Sequence, residues 1–216
     1  MRHQSERILI EGPAGRLQAA LEVPSGEPLF RAIVCHPHPQ FGGTMDNKVV
    51  TTLTRACRQA GGVALRFNFR GVGQSAGAFD HGRGEVEDLM AAESWLRQHY
   101  QQLPLWLAGF SFGSHVAARG AEILAAGEQP ARHLFLVAPA VHHQDFDALA
   151  PVRCPVTVVQ SEDDEVVPAR QVFDWAHRTP LRPDIIRVPE AGHFFHGKLG
   201  ELRDIALSRM PEANSD

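Results

Sequence analysis

The sequence that decides the fold of this chain is Leu105-Trp106-Leu107-Ala108-Gly109-Phe110-Ser111-Phe112-Gly113. Its apolar first half predicts a buried β-strand, and the alanine-rich run after Phe112 predicts a helix. Between them, the pattern Gly-x-Ser-x-Gly places Ser111 on a sharp turn, where flanking glycines avoid the clash that any Cβ would make. A helix that begins at once directs its N-terminal N–H groups toward a developing negative charge. Ser111 is therefore the candidate nucleophile.

A second match to the same pattern, Gly73-Gln74-Ser75-Ala76-Gly77, lacks this context. Gly71-Val72-Gly73 separates it from the preceding predicted strand, and a loop rich in Gly, Asp and His follows it. Gly71 to Ala76 also match a weak dinucleotide-binding fingerprint, but no helix begins at the motif. We expect Ser75 to be a loop residue, and we expect no cofactor.

Short β-rich runs alternate with helical patterns from about residue 30 onward, which is typical of parallel βαβ units covered by helices. The predicted strands are Arg7–Ile10, Leu17–Val23, Ala32–Cys35, Val63–Phe69, Leu105–Ala108, His133–Ala138, Val156–Gln160 and Asp184–Val188. The predicted helices are Asn47–Ala60, Glu85–Tyr100, Phe112–Ala126, Ala169–Arg178 and His196–Met210. The first two strands flank the turn Gly12-Pro13-Ala14-Gly15 and predict an antiparallel hairpin at one edge. We expect a single α/β domain over residues 1–216 with a mostly parallel, eight-stranded sheet.

A serine hydroxyl needs a histidine to take its proton and an acid to orient that histidine. Both residue types follow predicted strands downstream of Ser111, in the order acid then histidine that this kind of elbow requires. Four acids lie in the segment Glu162-Asp163-Asp164-Glu165, directly after a strand, and His193 follows the last strand. The order indicates His193 as the base and leaves the acid among those four residues.

These motifs together resemble the α/β-hydrolase superfamily over nearly the whole chain. In that superfamily the acid commonly occurs as Asp-x-x-Val-Pro and the histidine as Gly-His, which fall here on Asp164 and His193. The segments Cys35–Val50, with its HPHPxxGGTMDNKV motif, and Arg66–Ser75 are similar to a small lidless bacterial subgroup of predicted serine hydrolases and carboxylesterases. The resemblance implies a three-layer α/β-hydrolase sandwich and a catalytic triad of Ser111, Asp164 and His193.

An oxyanion hole needs two backbone N–H groups that point at one spot. The first is expected from Phe112, the residue after the nucleophile. In relatives the second comes from a loop that begins His-Gly, but here the dipeptide is His36-Pro37, and proline has no N–H. The remaining donors are His38, Gln40 and Phe41, of which we expect His38 from its position.

The connection before the acid-bearing strand is short. Only about fifteen residues, Val141 to Pro155, are available there, too few for a cap of several helices, so the site is expected to be open. Phe41, Phe79 and Phe146 are expected to supply an apolar wall for a short acyl group, although each also fits a core position.

The predicted activity is hydrolysis of small carboxylic esters through an acyl-enzyme. Thioesters or amides could be cleaved by the same residues, and a non-catalytic binding protein that keeps the fold is the alternative of another class.

Composition excludes several other classes of protein. With two lysines and a net charge of -4, the chain lacks the clustered cations of nucleic-acid binding, so we expect no nucleic-acid partner. No apolar run approaches the ~20 residues of a membrane span, and the start MRHQSERILIEG has no secretory pattern, so we expect no membrane association and a cytoplasmic location. The histidine pairs of the sequence lack carboxylate or thiolate partners at metal-binding spacing, and no metal is expected.

Overall fold

A computed structural model describes residues 5–211 of the protein. Its centre is an eight-stranded sheet with the strand order β1-β2-β4-β3-β5-β6-β7-β8. The strands are β1 (Glu6–Ile10), β2 (Leu17–Glu22), β3 (Phe30–Cys35), β4 (Gly62–Phe67), β5 (Leu105–Phe110), β6 (His133–Val137), β7 (Val156–Ser161) and β8 (Asp184–Val188). β1 pairs with β2 and β2 with β4 in antiparallel register, whereas every other pair is parallel. The predicted, mostly parallel sheet with an antiparallel N-terminal edge is confirmed.

Within residues 5–211, five α-helices cover the two faces of the sheet. They are α1 (Lys48–Gln59), α2 (Arg83–His99), α3 (Phe112–Ala125), α4 (Ala169–Arg178) and α5 (Leu199–Leu207). Residues alternate between the faces along each strand, so Leu105 and Leu107 pack under α2 and α3 while Trp106 and Ala108 pack under α1 and α5. Burial of both faces explains why the inner strands read as continuous apolar runs.

The last helix begins later than the sequence predicted. It starts at Leu199 rather than near His196. Phe195 and Gly197 both have positive φ, of 54° and 75°, which a right-handed helix excludes. The residues after β8 therefore form a tight loop before α5.

Residues 138–155, between β6 and β7, contain turns but neither a helix nor a strand. The predicted absence of a sizeable lid is confirmed, because no cap is inserted where the carboxyl ends of the strands face solvent. Separately, no helix among residues 5–211 combines the length and the apolar character that crossing a membrane requires.

Candidate active site

Ser111 lies on the turn between β5 and α3 in a strained conformation. Its φ of 55° and ψ of -117° are rare for a residue with a side chain. A Cβ on Gly109 would lie 2.1 Å from the carbonyl oxygen of Gly113, and one on Gly113 would lie 2.4 Å from that of Cys35. Only glycine fits at either position, so the Gly-x-Ser-x-Gly pattern is a steric requirement of this turn.

Asp164 and His193 meet at the same edge of the sheet. Asp164 follows β7 and His193 follows β8, and these strands are parallel neighbours, so their carboxyl ends lie side by side. The Nδ1–H of His193 donates to Asp164 at 2.9 Å from Oδ2, and both side chains are almost fully buried. Burial raises the pKa of the Asp164 carboxyl, but hydrogen bonds from His193 and from two backbone N–H groups outweigh it, and the pKa lies below its usual range.

Ser111 and His193 line one open cavity of about 230 Å³. The other residues that line it are Pro37, His38, Phe41, Gly42, Gly43, Asn47, Val166 and Phe194. Within residues 5–211, the hydrogen bonds of His193 run to Asp164 and Glu165, and its Nε2 has no partner. Contacts between a catalytic serine and its base often tighten only when substrate binds. The Nε2 atom of the imidazole is therefore free to accept a hydrogen bond from a hydroxyl.

Two backbone N–H groups near Ser111 are available to an incoming oxygen. Phe112 is the first residue of α3, so no preceding turn of helix supplies an acceptor. In the loop after β3, the Gln40 N–H donates to His38 Nδ1 and the Phe41 N–H donates to the His38 carbonyl. Of the three donors that the sequence left open, the His38 N–H alone has no hydrogen-bond partner among the described residues.

The loop after β3 is held in place by a buried histidine. His36 Nδ1–H donates to the Pro37 carbonyl at 2.6 Å, and its Nε2 accepts the Phe69 N–H at 3.0 Å. Burial lowers the pKa of His36 to about 3, so the ring is neutral and keeps both bonds. At the far end of the loop, a Cβ on Gly43 would lie 2.1 Å from the Pro37 carbonyl oxygen. The His-Pro dipeptide thus forms a compact loop that stands beside Ser111.

Several known proteins are similar to this chain in fold and sequence. No protein-family model matches the chain. It is 43% identical to an α/β serine hydrolase homologue from Coxiella burnetii, with a TM-score of 0.89 over 95% of this chain and 97% of the other. It is 40% identical to a lidless α/β serine hydrolase from Xanthomonas campestris, with a TM-score of 0.88 over 99% and 98% of the two chains. The chain belongs to the lidless α/β serine hydrolases. An uncharacterized protein of Rickettsia prowazekii is also 35% identical over 205 residues, which are 91% of this chain and 84% of that protein.

The predicted apolar wall of this α/β hydrolase is only partly where the sequence placed it. Phe41 is 85% exposed and lines the cavity. Phe79 packs behind His38, with 4.9 Å between ring centroids, and does not itself line the cavity. Phe146 is 1% exposed and packs edge-on against Trp175, so the prediction that it forms part of the wall is wrong and it belongs to the core.

Two further apolar residues lie at the mouth of the hydrolase site, beyond those that we expected to form the apolar wall. Val166 and Phe194 are 47% and 40% exposed and line the cavity. Phe194 is adjacent to His193, and this position in the sequence indicates that it lies near the site. Val166 follows the acids in an exposed loop and carried no signal of its own.

The second Gly-x-Ser-x-Gly match of the hydrolase is structural. The Ser75 hydroxyl donates to the Asn68 carbonyl at 2.7 Å and accepts the Gln18 N–H at 2.9 Å. Ser75 lies in the loop between β4 and α2, and its hydroxyl links β2 to the residue just after β4. Among residues 5–211, no cluster of three His, Cys, Asp or Glu side chains has a geometry that could hold a metal ion.

Proposed function

We propose that this hydrolase cleaves small, uncharged carboxylic esters through an acyl-enzyme on Ser111. One observation carries the proposal. The strained Ser111 and the buried His193, which is hydrogen-bonded to Asp164, come from separate turns and line one open cavity. A binding protein would gain nothing from holding a serine in such a conformation.

In the first step, the Ser111 Oγ attacks the ester carbonyl carbon while His193 Nε2 takes the hydroxyl proton. Asp164 holds the imidazole in the tautomer with Nδ1–H and stabilises the positive charge that forms. When the tetrahedral intermediate collapses, His193 gives the proton to the departing alcohol oxygen, and Ser111 keeps the acyl group. Water then repeats the sequence, with its proton passing to His193, and releases the carboxylic acid.

The negative oxygen of each tetrahedral intermediate needs donors that are already in place. In our proposal the Phe112 and His38 N–H groups supply them. The availability of both groups supports this assignment, as does the 5.0 Å contact between the rings of His38 and Phe112. The N-terminus of α3 adds its dipole at the same point.

The substrate class follows from the size and chemistry of the cavity. A volume of about 230 Å³ lies below the roughly 300–1,000 Å³ of sites that enclose drug-sized ligands. Of the described residues that line it, none is Asp, Glu, Lys or Arg. Phe41, Val166 and Phe194 offer apolar contact at the rim, which suits a short acyl or small alcohol group without charge.

The test combines ester turnover with labelling by a fluorophosphonate probe. The wild-type protein should hydrolyse 4-nitrophenyl acetate and be labelled on Ser111. Ser111→Ala should lose on the order of 10⁶ in turnover and all labelling. Ser75→Ala is the matched control, since it removes a serine from the same sequence pattern, and it should keep both properties. A wild-type protein that is neither active nor labelled would indicate a binding protein, and a strong preference for acyl thioesters would change the substrate class.

A further inference from the structure

The loop between β7 and α4 presents three successive carboxylates to the loop that carries His193. Asp163 Oδ1 accepts the Ala191 N–H at 3.2 Å. Asp164 accepts the side-chain Nδ1–H of His193, and Glu165 Oε2 accepts its backbone N–H at 2.9 Å. Each acid therefore contacts a different group of the same short loop.

The loop after β8 needs such support because its backbone is strained. Glu190 and Gly192 have positive φ values of 53° and 58°. The positive φ favours glycine at position 192, and a Cβ there would lie 3.1 Å from the Glu165 Oε2 atom, so the carboxylate closely approaches the backbone. A non-glycine residue with positive φ persists only where the surroundings over-determine it. The hydrogen bonds to Asp163 and Glu165 help to hold the loop in this conformation.

We propose that Glu165 is a positioning residue for His193, with Asp163 supporting the preceding residue, an inference that rests on the proposed function. Asp164 fixes the imidazole ring through Nδ1, and Glu165 fixes the backbone from which the ring extends. Two separate attachment points restrict the direction in which Nε2 faces Ser111. Since a misplacement of about 1 Å can reduce turnover by ~10²-fold, the second attachment matters even though Glu165 never touches substrate.

The experiment compares three purified variants with the wild-type protein on 4-nitrophenyl acetate. Glu165→Gln keeps an acceptor oxygen and removes the charge, whereas Glu165→Ala removes both. Glu162→Ala is the matched control, because Glu162 lies in the same acidic segment and is exposed. Melting temperatures and fluorophosphonate labelling rates are measured alongside turnover.

Glu165→Ala should lower kcat by about tenfold with little change in KM, because the base is displaced and the substrate contacts remain. Glu165→Gln should lose less kcat than Glu165→Ala, also with little change in KM, because its amide oxygen can still accept the backbone N–H of His193. Glu162→Ala should match the wild type in both measurements. If Glu165→Ala fails to fold, a loss of kcat without a change of KM in Glu165→Gln still decides the question.

Two different results would overturn two different statements. If Glu165→Ala and Glu165→Gln match Glu162→Ala in kcat and in KM, Glu165 does not position His193, while the proposed function stands. If the wild-type protein neither hydrolyses esters nor labels with the probe, the proposed function fails first, and the positioning role fails with it.

Discussion

The Nδ1 atom of His193 lies 2.9 Å from the Oδ2 atom of Asp164, although 29 residues separate them in the sequence. The two loops meet because β7 and β8 are adjacent parallel strands in the sheet. In the sequence, α4 connects one strand to the other. Both side chains are almost fully buried. Water therefore cannot replace a hydrogen bond that the carboxylate loses, and each such loss destabilises the pair.

This pair predicts a sharp difference between two neighbouring acids. Asp164→Asn should reduce turnover by roughly 10⁴-fold, because an amide in that place favours the wrong tautomer of His193. Asp163→Asn should reduce it far less, since the side-chain oxygen of Asn can still accept the Ala191 N–H. Steady-state kinetics on one ester at pH 7.5 measures both effects. The opposite ranking would move the orienting acid to Asp163.

The glycines of the serine turn should be intolerant of substitution. Gly113→Ala should destabilise the protein by more than about 3 kcal/mol, because the new Cβ would lie 2.4 Å from the Cys35 carbonyl oxygen in a segment that cannot move freely. Gly200→Ala is the matched control. A Cβ there meets nothing within 4 Å, and alanine in α5 should stabilise by up to about 1 kcal/mol. Urea unfolding measures both changes, and equal stabilities for the two variants would contradict the steric account.

Lowering the pH should destabilise the protein at pH values well above those at which carboxylates titrate. Burial is the main cause that lowers the pKa of His36 to about 3 and those of His115 and His133 to about 4. The unfolded chain takes up these protons near pH 6.5 and the folded chain does not, so the stability is complete above that pH and is lost as the pH falls toward 4. At pH 5 the loss is about 2 kcal/mol for each of His36 and His115 relative to pH 7.

The slope of stability against pH provides the measurement. In His115→Leu, the slope of the free energy of unfolding between pH 6 and pH 5 should decrease by up to ~1.4 kcal/mol per pH unit, because one proton fewer is taken up on unfolding. Equal slopes for wild type and His115→Leu would show that His115 titrates alike in the folded and unfolded chain.

The missing lid predicts the preference for acyl chain length. Each buried CH₂ contributes about 0.8 kcal/mol, so an enclosed acyl tunnel would raise kcat/KM steadily with chain length. The open cavity of about 230 Å³ cannot continue that gain beyond a few carbons. We expect kcat/KM to peak for short acyl esters and to show no jump at a lipid–water interface. Aryl esters from acetate to palmitate, above and below their solubility limits, give the measurement, and a maximum at long chains would require an apolar cover that residues 138–155 do not form.

The fold was predictable because its signals are local. The elbow around Ser111 needs glycine at two positions for steric reasons, and the buried strands read as apolar runs because helices cover both faces. The order of strands and helices, the edge hairpin and the absence of a lid all follow from such patterns, and the structure agrees with them. The later start of α5 was missed because positive φ at Phe195 is not a property that its side chain reveals.

The site was less predictable because its details depend on which groups already have partners. The sequence by itself named Ser111 and His193 and narrowed the acid to four residues, and resemblance to a family then favoured Asp164. Only the tertiary structure decided that the N–H groups of Gln40 and Phe41 are occupied, that Phe146 lies in the core and that Glu165 bonds the backbone of His193. Periodicity and motif spacing report the conformation of a segment, whereas hydrogen-bond partners and burial are set by packing between segments distant in the sequence.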